Sequence, residues 1–170
     1  MKPFSQNITI INKAIEFAKF EYKKNDSFHC WGHVENVMRK AIEITKKLNE
    51  NIDHEVLELA IIFHDIDYSS EDSVEKNYKN HVDNSVKVAE VFLKQNKYPK
   101  EKIKKVRQVM LDHSTPHREQ LGEAKSIEGK IIYDSDKSIF ITTSELYDKY
   151  FQQLYLNETR ELVKIPKKED

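Results

Sequence analysis

His64 and Asp65 are neighbours, and the run before them, Val56, Leu57, Leu59, Ala60, Ile61, Ile62 and Phe63, is apolar nearly all round. Two ionisable side chains at the end of so apolar a helix carry a large desolvation cost. A cation coordinated by both is one efficient compensation. His113 follows Met110 by three residues, Val106 by seven and Ile103 by ten, and Asp136 follows Ile132 by four. Helical register therefore turns a histidine and a carboxylate toward the core, where each needs a partner. A lone inward histidine has a bland explanation, a hydrogen bond to the core, and His113 taken alone reads that way. The doublet does not. Imidazole nitrogen combined with carboxylate oxygen suits Mn²⁺, Fe, Co²⁺, Ni²⁺ or Zn²⁺ better than Ca²⁺, which prefers oxygen alone.

The elements that must position these groups read as helices. Glycine (3) and proline (4) are too scarce for the turns of a sandwich or barrel. Ile8, Ile11, Ile15, Ala18 and Tyr22 recur at helical steps up to the polar stretch Lys24 to Ser27. A second helix starts at His33 and carries Val34, Val37, Met38, Ala41, Ile42, Thr45 and Leu48 on one side. Asp53 can cap the apolar third helix, which should be the most buried. Residues 66–80 are polar and non-periodic and read as a surface loop or lid with at most a short helical piece. Helices follow from His81 through Leu93 and from Glu101 through His113, ended by Ser114-Thr115-Pro116. A loop then leads to Ile127, Ile131 and Ile132, arriving at Asp134-Ser135-Asp136. A last helix, Ser144 to Leu156, shows Leu146, Tyr150, Phe151 and Leu154 on its apolar side, before a charged tail from Lys164. The expectation is an all-α, compact single-domain helical bundle of about six to eight helices.

At 170 residues one domain suffices. With 28 basic and 29 acidic residues the net charge is −1, so no general field attracts long nucleic acid or an anionic membrane. Any phosphate binding must be local. Cys30 is the single cysteine, which excludes an intrachain disulfide and a cysteine-rich zinc site and fits a reducing compartment. No apolar run reaches signal-peptide or membrane-span length, so a cytoplasmic location is the expectation.

With these residues in place the chain resembles the His-Asp (HD) domain superfamily of metal-dependent phosphohydrolases, over about 110 residues from Phe28 to Ile141. Members carry a histidine at the head of one helix, the doublet at the end of the next buried helix, and a late aspartate followed by a basic residue. Here those positions are His33, His64-Asp65 and Asp136-Lys137. Small bacterial members add a histidine opening the next helix in the form His-x-x-x-Ser, matched by His81 and Ser85, and one ending the helix after that, matched by His113. The chain departs from many relatives at Asp67, where they have glycine, and at Cys30, where they have aspartate.

The resemblance implies one metal site made by His33, His64, Asp65 and Asp136, with positions open for water and substrate. The ion is expected to be Mn, Co, Ni, Fe or Zn, with Mg possible, and would make water acidic enough to lose a proton near neutrality. His81 and His113 would then hold a second ion or contact the phosphate and shuttle a proton. Lys137 would contact phosphate, and Asp134 would orient a ligand histidine. His54 reads as a surface residue and Trp31 as a core or rim anchor, while His29 and His117 could approach the cleft. The implied substrate is a small phosphate ester or anhydride, most often of a nucleotide, handled by a monomer or homodimer. Two rival readings remain: a metal-containing binding or signalling module without turnover, and a di-iron oxygenase on the same scaffold.

Overall fold

Three helix starts are written in side-chain caps. Thr9 accepts the Asn12 N–H, Asp53 the Val56 N–H and Ser73 the Lys76 N–H, each satisfying a backbone donor that the first turn leaves unpaired. The computed structural model describes residues 9–69, 71 and 73–142, and their side chains except at 139–142. The elements are α1 (Ile10–Glu21) with a 3-10 turn at Tyr22–Lys24, α2 (Trp31–Thr45), α3 (His54–Phe63), α4 (Val74–Gln95), α5 (Lys100–Asp112), α6 (Thr115–Leu121) and α7 (Ile127–Thr142). No strand occurs among the described residues, and the fold is all-α as the sequence implies.

The apolar α3 forms the centre. Val56, Leu57, Leu59, Ala60, Ile61, Ile62 and Phe63 are all buried, against α1, α2, α4, α5 and α7. Each of the larger ones contributes roughly 1.5–3 kcal/mol by leaving water. Around it α2 packs chiefly on α7, and α5 on α3, α4 and α7. The close approach of α5 and α7 depends on Gly129, where a Cβ would lie 2.1 Å from Asp112 Oδ2. Arg118 of α6 locks the same corner. Its Nε donates to Asp112 O (2.7 Å), its Nη2 to Gly129 O (3.2 Å), and its guanidinium covers the Tyr133 ring at 3.5 Å.

Two expectations from the sequence need correction. His81 does not open its helix, because α4 begins at Val74, two turns earlier. Those turns are capped by Ser73, tied by a Glu75–Lys79 pair and largely exposed, so they carry no apolar period to betray them. Pro116 does not merely end a helix. It sits in the first turn of α6, where its missing N–H costs nothing, and this gives structure to part of what reads as a loop. The β-branched residues from Ile139 continue α7 to Thr142. Ile8 and the stretch Ser144 to Leu156 lie outside the described residues.

Candidate metal centre

Five elements converge on one buried point. His33 lies in the first turn of α2, His64-Asp65 in the turn directly after α3, His81 in α4, His113 at the C-cap of α5 and Asp136 in α7. All six side chains are buried, between 0 and 7% exposed. Their donor atoms fall into two groups, His33 with His64 and Asp136, and Asp65 with His81 and His113, each set within 4.8 Å. His33 Nε2 is 3.1 Å from both His64 Nε2 and Asp136 Oδ1. Asp65 stands between the groups. Its Oδ2 lies 3.3 Å from His64 Nε2 and 3.6 Å from His33 Nε2, while its Oδ1 lies 3.3 Å from His113 Nε2 and 3.5 Å from His81 Nε2.

The backbone sets which ring nitrogen faces inward. His64 Nδ1–H donates to Ile61 O (2.7 Å), His113 Nδ1–H to Met110 O, and His81 Nδ1–H to Tyr78 O (2.9 Å) and Asn77 O (3.1 Å). Each neutral ring then aims an Nε2 lone pair at the Asp65 carboxylate, whose Oδ1 accepts no hydrogen bond. Lone pairs facing a carboxylate repel unless a cation sits between them. At His64 and His81 protons do not supply it. Burial, opposed by Asp65 and assisted by His33 and His113, pushes His64 down to about 4, and burial likewise lowers His81. The donor set therefore fits divalent metal.

His33 differs. Burial lowers it, but the hydrogen bond and charge of Asp136 outweigh that and raise it above its ordinary 6.5. Burial alone would raise Asp136, yet Lys137 and His33 hold its carboxyl well below the usual range. Lys137 Nζ lies 3.4 Å from Asp136 Oδ2, with the lysine side chain 12% exposed at the edge of the centre.

The loop chains are pinned by three polar side chains, of which Asn25 is the one that neither periodicity nor motif reveals. Asn25 Nδ2 donates to Asp65 O (2.7 Å) and His29 O (3.0 Å), and its Oδ1 accepts the Tyr68 N–H (3.4 Å). Tyr22 Oη accepts the Asp65 N–H (3.3 Å), and Ser85 Oγ the Asp67 N–H (3.1 Å). Ser85 of the His-x-x-x-Ser pattern thus holds the turn after the doublet. Asp67 is half-buried there and belongs to neither donor group.

His29 stands beside the centre rather than in it. Its ring is 6.2 Å from that of His33, its Nδ1–H donates to Asp26 Oδ1 (2.9 Å), and its face stacks on Tyr68 with centroids 3.3 Å apart and 9° between planes. Tyr68 in turn lies 5.0 Å from the His81 ring. Burial, then Asp65, pushes the Tyr68 phenol up to about 12. His117 is drawn to Ser114 Oγ (3.3 Å) and Asp83 (3.5 Å), away from both groups. His54 is exposed, and Trp31, half-buried, donates to Glu35 Oε1 at 2.8 Å. Asp134 is fully buried but joins neither donor group. Asn25 and Tyr68 are the residues the sequence did not announce, since each lies in a polar stretch without period.

Comparison with protein families matches the HD domain over residues 30–139, a span that contains every residue of both donor groups. No curated protein and no solved structure matches the chain.

Proposed function

The chain belongs to the HD domain family, and on that basis we propose that it is a two-metal phosphohydrolase acting on a small phosphate ester or anhydride, a nucleotide foremost. One observation carries the reading: the two oxygens of Asp65 face two separate sets of imidazole lone pairs. His33, His64 and Asp136 would hold one cation and His81 and His113 a second, with Asp65 serving both sets. When bound, such cations supply Lewis acidity, lowering the pKa of water and polarising a phosphoryl oxygen.

The chain's own groups do the rest. Buried Nδ1–H donations to backbone carbonyls fix three rings, so little reorganisation accompanies the reaction. Lys137, beside Asp136 at the edge, supplies positive charge to an incoming phosphate. His29, with Nδ1–H held by Asp26, presents its Nε2 as an acceptor able to take a proton from an attacking water. The slight exposure of the ligands favours a compact phosphoryl group over a long polymer. No helix among the described residues is long and apolar enough to cross a membrane.

The test is metal analysis of the purified chain followed by phosphate release from a nucleotide panel with Mn²⁺, Co²⁺, Ni²⁺, Fe²⁺ and Mg²⁺. Two cations per chain with turnover are expected. Full occupancy with no turnover of any phosphorylated compound would overturn the hydrolase and leave a binding module. A carboxylate bridge also suits paired iron, and oxygen consumption by an iron-loaded chain without phosphate release would favour an oxygenase.

A further inference from the structure

Tyr68 is an aromatic side chain that touches the surroundings of both donor groups. It stacks face to face on His29, which adjoins His33, and its other neighbour is His81 at 5.0 Å. The ring is thereby held from two sides, half-buried at the edge of the centre. Its backbone N–H is tied to Asn25, the same residue that holds the Asp65 carbonyl, so Tyr68 and the bridging carboxylate are positioned by one side chain. Among the described residues the phenol oxygen makes no hydrogen bond. The ring lies between His29, whose ring is 6.2 Å from that of His33, and His81, so it borders residues of both donor groups. A hydroxyl so placed donates, because a phenol stays protonated at neutral pH whether or not its surroundings shift it.

We propose that the Tyr68 hydroxyl is a substrate-binding group: it donates a hydrogen bond to a non-bridging oxygen of the phosphoryl group, across the mouth from Lys137. This rests on the phosphohydrolase reading and adds its anion-recognition element. The requirement is chemical. A phosphoryl group brought to buried cations still presents oxygens on the side away from them, and His64, His81 and His113, whose Nδ1–H groups are already given to backbone carbonyls, have no proton to offer. Tyr68 supplies a neutral donor there and Lys137 a charged one. The stack on His29 fixes the direction of the hydroxyl, so little rotational freedom is lost on binding.

The experiment compares the metal-loaded chain with Tyr68→Phe, which keeps the ring and its stack and removes only the hydroxyl. Inorganic phosphate is the probe, titrated calorimetrically, alongside steady-state hydrolysis of p-nitrophenyl phosphate. In Tyr68→Phe, phosphate affinity should fall about 10- to 100-fold, the range of one hydrogen bond to a charged group. KM should rise with it, while metal content and melting temperature stay at wild-type values. Tyr68→Phe binding phosphate as the wild type does, with KM unchanged, overturns this inference and leaves the hydrolase intact. A metal-loaded wild type that neither binds phosphate nor releases it from any ester overturns the hydrolase reading and this inference together.

Discussion

At the scale of single residues, Asp65 is the group on which both halves of the centre depend, because each of its oxygens answers a different pair of imidazoles. Asp65→Ala should leave the purified chain without either cation and lower turnover by on the order of 10³ or more, the loss of a metal's several kcal/mol of charge stabilisation. Elemental analysis and phosphate release check it, and a variant retaining two cations would remove Asp65 from the bridge. His113 reads in the sequence as a core histidine when taken alone and, by the family resemblance, as a ligand of a second ion or a phosphate contact, and its removal is expected there to leave metal largely bound. Its Nε2, 3.3 Å from Asp65 Oδ1, gives a sharper expectation. His113→Ala should retain one cation of two, and retention of both would return His113 to the role of phosphate contact. Neither the tautomers nor Asn25's three hydrogen bonds could be read from residue order, since both are set by which carbonyls the fold brings near.

At the scale of elements, four of the six residues of the centre sit at helix ends or in the turn after one, while His81 and Asp136 come from inside α4 and α7. The doublet follows α3 immediately, His33 enters in the first turn of α2, and His113 caps α5. These positions are fixed by how closely neighbouring helices approach. Gly129 is one such close approach, with Asp112 of α5 occupying the space a methyl would need. Gly129→Ala should cost about 1–3 kcal/mol, as overpacked cores do, read as a lower denaturant midpoint with an unchanged slope. An unchanged midpoint would show that α5 and α7 separate freely. The polar first turns of α4 and the Pro-initiated α6 escaped the sequence because each lacks a buried face, and periodicity reports only faces that are buried.

At the scale of the whole molecule, stability and metal are linked through His33. Its folded pKa is raised, so without metal its pairing with Asp136 contributes stability fully below the unfolded value of 6.5 and loses it as pH rises through the folded value. Metal demands the opposite form, the neutral ring. The difference in melting temperature between the metal-loaded and stripped chain should therefore widen on going from pH 6 to pH 8. A ligand at 100 times its Kd adds about 2.7 kcal/mol, so the gap is measurable by differential scanning. A gap that narrows over that interval would place the proton elsewhere.

The order of residues by itself determined the helical class and the buried third helix, and register alone turned His113 and Asp136 inward, because apolar content and helical period are local properties that a chain records along its own length. His33 and His81 entered as candidates through the family resemblance. It also carried the family, through five motifs in one order. What only the tertiary structure decided was the partition of those ligands. A sequence that names His33, His64, Asp65 and Asp136 as one site and leaves His81 and His113 open cannot say where a carboxylate's second oxygen points. That depends on α4 and α5 bringing two imidazoles to within 3.5 Å of Asp65 Oδ1. Convergence of this kind is a property of packed helices in space, and no spacing along one chain encodes it.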